Sequence, residues 1–229
     1  MRQNITTLEE IPMKELFLIL YIVISCIHLY HSWMDDTKRR PYTKPVLLLL
    51  MAYYAVAADQ ISWILMLALF TSWLGDVLLI PKGHKWFMIG GTAFLISHFL
   101  FMASYIPHVQ WNAVPWLIIV AAAAVYFSIS FAIIKAVRPT TPAKMIWPMC
   151  RYLLINSSMN LFALMRLLSV GSQGSLVSYI GAVLFFASDC TLFLVRYFRN
   201  PDVIFKRHFT VMLTYLAGEL LIVLGLLMG

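Results

Sequence analysis

Apolar runs recur from one end of this chain to the other, each close to the roughly 20 residues that an α-helix needs to cross a bilayer. Residues 116–134 and 220–228, for example, contain no charged side chain. Only 12% of the 229 residues are charged and 62% are hydrophobic, whereas a soluble domain carries about 25% charge. Gly and Pro number 10 each, which excludes collagen-like, low-complexity and disordered chains. The chain reads as an integral membrane protein, all-α, with room for about eight spans and no extramembrane domain. Hydropathy windows place the helices near 14–33, 45–58, 61–80, 86–107, 113–137, 145–168, 175–198 and 207–228. The short connections make residues 1–229 a single membrane domain.

The net charge of +7 would suit nucleic acid only if the basic residues gathered on a water-facing domain, and there is none. Topology accounts for it instead. Thirteen of the 17 Lys and Arg fall in alternate connections, among them Lys38, Arg39, Arg40, Lys44, Lys82, Lys85, Arg199 and Lys206. Arg2, Lys14 and Arg166 lie on the other side. Basic residues are retained in the cytoplasm, so both termini are expected outside the cytosol, in a bacterial inner membrane or a eukaryotic endomembrane. Cys26, Cys150 and Cys190 show no C-x-x-C spacing, and no structural disulfide is expected. The run Val23-Ile24-Ser25-Cys26 imitates a lipoprotein cleavage site, but it lacks a compact basic start and reads as part of a retained first helix.

Ionisable residues at membrane depth are costly and mark functional sites. Five qualify: Asp76, His98, Arg151, Asp189 and Glu219. At 1.5 Å rise per residue, Asp76, Asp189 and Arg151 lie about 8–10 Å inside the basic ends of their helices, and His98 and Glu219 about 18–20 Å inside. This matching of depth suggests two parallel four-helix repeats that set Asp76 opposite Asp189 and His98 opposite Glu219. Two carboxylates facing one cavity cannot both ionise comfortably. One can then serve as a general acid while the other activates water or stabilises a cation. Arg151 could neutralise the pair or bind an anionic head group. The same residues could equally form a satisfied structural network.

Adjacent Ser97 and His98 point about 100° apart on a helix and make a poor nucleophile–base pair. His28 and His31 share a face and, with His84, invite a zinc reading, but H-x-x-x-H and H-E-x-x-H are absent. No metal or other cofactor is expected. Asn156 and Asn160 form an i, i+4 polar pair that can join helices, with Asn160 a possible site residue. A transporter or channel would also use charged residues in two layers, and a zinc-dependent lipid hydrolase is a second rival. A retinal receptor is disfavoured, since no Lys lies deep in the last helices.

Three segments resemble the YhhN-type lysoplasmalogenase family: Leu69-Phe70-Thr71-Ser72-Trp73-Leu74-Gly75-Asp76-Val77-Leu78-Leu79, Phe94-Leu95-Ile96-Ser97-His98, and the stretch 179–189 that ends Phe185-Phe186-Ala187-Ser188-Asp189. Lys44-Pro45 fits as well. The resemblance covers almost the whole chain in order, and G-D, F-x-x-x-H and G-A-x-x-F-x-x-S-D in this sequence are together fairly specific. Near the C terminus the family often has Tyr followed by Ala-Gln, whereas here Tyr215 leads to Leu216-Ala217-Gly218-Glu219. The resemblance implies eight helices and hydrolysis of the vinyl ether bond of lysoplasmalogens to a fatty aldehyde and glycerophosphoethanolamine or glycerophosphocholine. It further implies a lysophospholipid partner drawn from membrane lipid, and a catalytic role for Asp76 and Asp189. Around them, His98, Arg151, Asn160, Lys44, Tyr215 and Glu219 are the expected substrate-binding or supporting residues.

Overall fold

The computed structural model describes residues 12–229; Arg2 falls outside the described residues. Every regular element among them is helical: α1 (Met13–Trp33), the single turn α2 (Arg40–Thr43), α3 (Leu47–Ala57), α4 (Trp63–Leu78), α5 (His84–Tyr105), α6 (Trp116–Val137), α7 (Ala143–Val170), α8 (Gln173–Tyr197) and α9 (His208–Leu227), linked by short 3-10 turns. Leaving out α2, these are the eight helices expected, with ends that agree to within three residues. Six are long and apolar enough to cross a bilayer. The protein is a polytopic helical membrane bundle.

Local chemistry sets the helix ends. Ser62 Oγ accepts from the Leu65 amide at 3.4 Å, and Ser172 Oγ from the Ser175 amide at 3.1 Å, so α4 and α8 start on serine caps. Pro142 precedes α7, which stops at Gly171 in the left-handed conformation (φ 66°). The second span is shorter than expected. Lys44–Val46 forms a 3-10 turn in which Pro45 (φ −72°, ψ 30°) leaves the helical region, and Ala58 turns extended, so only 11 residues of α3 remain.

Two helix pairs carry the bundle, α8 with α9 and α4 with α5. Both close on glycine. A Cβ on Gly181 would lie 2.7 Å from the Gly218 carbonyl and the Ile222 amide, and one on Gly75 would lie 2.6 Å from the Phe94 ring. Small residues let membrane helices approach this closely. Gly75 precedes Asp76 and Gly218 precedes Glu219, so close helix contacts flank two of the buried acidic residues.

The expected repeat pairing is corrected here. α4 and α8 share no extended contact, and the polar partners of Asp76 and His98 are not the two expected. The partners are crossed: Asp76 on α4 meets Tyr215 on α9, and Asp189 on α8 meets His98 on α5. Equal depth along two helices does not make them neighbours, because glycine-mediated contact has paired each with the helix that follows it.

Candidate active site

Asp189 is the more fully held carboxylate. Its Oδ2 accepts from Tyr152 OH at 2.9 Å and Asn156 Nδ2 at 2.7 Å, both from one face of α7. His98 Nε2 stands 3.1 Å from the same oxygen, at an angle outside hydrogen-bond geometry. The other ring nitrogen, Nδ1, is 2.6 Å from the Phe94 carbonyl. A carbonyl oxygen only accepts, so Nδ1 carries a proton. Nε2 and Oδ2 thus form a close, buried imidazole–carboxylate pair.

Asp76 is held differently. Tyr215 OH donates to its Oδ2 at 2.8 Å, and Lys44 supplies the positive charge that acts on it. Lys44 sits in the turn before α3; burial lowers the pKa of its ammonium and Asp76 opposes that shift. Asp76 is 2% exposed and Asp189 is 5% exposed. Between the two sites stands Phe185, its ring 5.3 Å from Tyr215 and 4.6 Å from His98, with Phe94 5.7 Å from Tyr215. Ser72 and Ser97 share a 2.6 Å hydrogen bond and tie α4 to α5 beside them.

Glu219 is fully buried, with Ser72, Asp76 and Asp189 as its polar neighbours. Neither of its carboxyl oxygens meets hydrogen-bond geometry with a partner among the described residues. Asn160 is buried one turn from Asn156 and donates to that residue's Oδ1 at 3.1 Å and to its carbonyl at 3.0 Å. It therefore supports the Asn156 that holds Asp189 and does not touch a carboxylate itself.

Arg151 is a second correction, since it is exposed and not buried with the aspartates. One residue before inward-facing Tyr152, it is turned about 100° away by the helix. It lies instead on the wall of an apolar cavity of about 290 Å³, lined also by Leu79, Phe87, Gly91, Phe94 and Phe193. Tyr152 lines this cavity too, so its walls include the donor to Asp189 and the ring packed on Tyr215.

Of the histidines considered for zinc, His28 is buried with Nδ1 2.8 Å from Thr43 Oγ1, while His84 is exposed. No group of three His, Cys, Asp or Glu gathers to hold a metal among the described residues.

Sequence reasoning passed over Tyr152, whose spacing of four from Asn156 was the available signal, and took Arg166 only as a topology residue. Arg166 is fully buried and donates to Ser178 Oγ at 2.7 Å and the Gly225 carbonyl at 3.1 Å, clamping α7 to α8 and α9.

No curated protein and no solved structure matches the chain. The YhhN family model matches residues 39–226, a stretch that runs from the turn carrying Lys44 through both aspartates to Glu219. The chain belongs to the YhhN family.

Proposed function

We propose that the protein hydrolyses the vinyl ether bond of lysoplasmalogens, with the His98–Asp189 pair as proton donor and Asp76 as the carboxylate that receives the water proton. The observation that carries this reading is a buried imidazole–carboxylate pair and a second, separately held carboxylate, with Tyr152, which donates to Asp189, and Phe94, which packs on the Tyr215 bound to Asp76, both lining one apolar cavity. Family membership is consistent with a lysoplasmalogenase-type hydrolase.

The chemistry needs little else. A proton held by the His98–Asp189 pair passes to the β-carbon of the enol ether and leaves an oxocarbenium ion, which the carboxylates stabilise electrostatically. Water adds to the cation and gives its proton to Asp76. The resulting hemiacetal collapses to aldehyde and alcohol, and the proton held by Asp76 returns to the His98–Asp189 pair. The sum is one vinyl ether plus one water giving one aldehyde and one glycerophospho-alcohol.

The acyl-like tail would lie in the α5–α7 cavity, with its phosphate near Arg151. On the count of basic residues, the Lys44 end of the bundle faces the cytosol and both termini face away from it.

The test is mass spectrometry of purified protein incubated with 1-alkenyl and 1-acyl lysolipids side by side. Fatty aldehyde from the first and no fatty acid from the second is expected. Fatty acid from the 1-acyl lipid would make the protein a lysophospholipase and end this reading.

A further inference from the structure

Helix α1 turns a polar stripe into the bundle and an apolar face outward. All four of its buried residues, Tyr21, Ser25, His28 and Ser32, are polar, while Leu16, Ile19, Leu20, Ile22, Val23 and Ile27 point outward at 37–47% exposure. The spacing of four, three and four places them in one stripe, roughly 16 Å long at 1.5 Å rise per residue. Serine is common where membrane helices pack; what sets this stripe apart is the unpartnered polar atoms along it.

The stripe has defined ends. At the inner end, Tyr21 OH donates to the Leu216 carbonyl at 2.8 Å, beside the Tyr215 that holds Asp76, and its acidic neighbours are Glu219 and Asp76. At the outer end, His28 meets Thr43, the residue before Lys44, in the turn that follows α2.

Between these ends, Ser25 Oγ, His28 Nε2 and Ser32 Oγ have no hydrogen-bond partner among the described residues, although these residues are 7%, 0% and 3% exposed. Ser25 lies beside the Tyr21 hydroxyl and His28 beside the Arg40 carbonyl, neither meeting hydrogen-bond geometry. The indole Nε1 of Trp73, three residues before Asp76 on α4, is likewise without a partner. Buried polar atoms that lack protein partners are satisfied by ordered water.

We propose that the polar face of α1 is one wall of a hydrated track that carries water from the Thr43–Lys44 turn to Asp76, on a route separate from the apolar cavity at α5 and α7. Its purpose rests on the proposed hydrolysis, in which water is the second substrate; its observations do not. The lipid and the water would then reach the aspartates from different sides. An open water path to the apolar cavity would expose the tail, and a dry site would have no nucleophile.

The test uses full-length protein in liposomes with Cys26, Cys150 and Cys190 replaced by Ala. Single cysteines are introduced as Ser25→Cys, Ser32→Cys and, at similar depth on the outward face, Val23→Cys. A charged methanethiosulfonate reagent reacts with the thiolate, which forms only where water reaches it. Ser25→Cys and Ser32→Cys are expected to label at least about tenfold faster than Val23→Cys, since a thiol in lipid stays protonated. Labelling at Ser25→Cys no faster than at Val23→Cys overturns the track. Should Ser25→Cys fail to fold, Ser32→Cys and His28→Cys give the same reading.

Labelled Ser25→Cys should then lose aldehyde release at least about tenfold while its affinity for lysolipid is unchanged, as expected when a substrate of the chemical step is cut off. Labelling without that loss overturns the connection to Asp76. If unlabelled protein releases no aldehyde, the hydrolysis reading fails, yet the labelling rates still decide whether the track is wet.

Discussion

Asp189 accepts from Tyr152 and Asn156 and stands 3.1 Å from His98 Nε2, whereas Asp76 accepts from Tyr215 and lies within the field of the Lys44 ammonium. The two carboxylates thus have different environments, which is what separates an acid from a base in one pocket. Asp76→Asn and Asp189→Asn are each expected to lower turnover by about 10²–10⁴-fold, the usual contribution of a general acid or base. Because an amide keeps the size of the side chain and its acceptor oxygen, both variants should remain folded and still bind lysolipid. Turnover with aldehyde detection, set beside lipid binding, checks this; wild-type turnover in either variant contradicts the assignment.

These residues were legible in the sequence because charge is scarce in an apolar chain, so each buried acid stood out. Tyr152 did not stand out, since one Tyr among 11 carries no signal until a partner faces it. Arg151 was misread for a related reason: hydropathy measures depth in the membrane but not which way a side chain turns.

At the scale of elements, the pairing of α8 with α9 fixes where Asp189, Tyr215 and Glu219 stand. Gly181 and Gly218 lie against each other's backbone, so any side chain there must separate the helices. Gly181→Val should destabilise the protein by about 1–3 kcal/mol through overpacking, and by shifting α9 it should also reduce turnover. Thermal unfolding in detergent checks this, and an unchanged Tm would show that the contact is not as close as described. Gly91→Ala is the matched control, since a Cβ there meets nothing within 4 Å.

Helix positions were readable from apolar run length to within three residues. Two things were not. Lys44-Pro45 divides the second span into a 3-10 turn and a short α3, because a prolyl ring cannot donate to the helical ladder. The crossed partnership of the aspartates was also hidden, because depth along an axis contains no information about neighbours.

The whole molecule is a bundle with an apolar cavity on the α5–α7 side and a polar stripe on α1. The cavity makes a separate prediction. Gly91 lines it and has open space around its Cα, so Gly91→Phe should fold normally and fill part of the 290 Å³. It is expected to raise KM for long-chain lysolipid by about tenfold with kcat little changed, the signature of lost uniform binding. Chain-length dependence of KM reads this directly; a KM equal to that of the parent would place the tail elsewhere.

The central claim is that a buried side-chain pair delivers a proton to carbon. It is tested most directly by running the reaction on a 1-alkenyl lysolipid in D2O and examining the fatty aldehyde by mass spectrometry, with authentic aldehyde incubated alongside to correct for exchange. The account predicts one deuterium at carbon 2 of the aldehyde, the former β-carbon of the vinyl ether. Aldehyde with only protium at carbon 2 would contradict it.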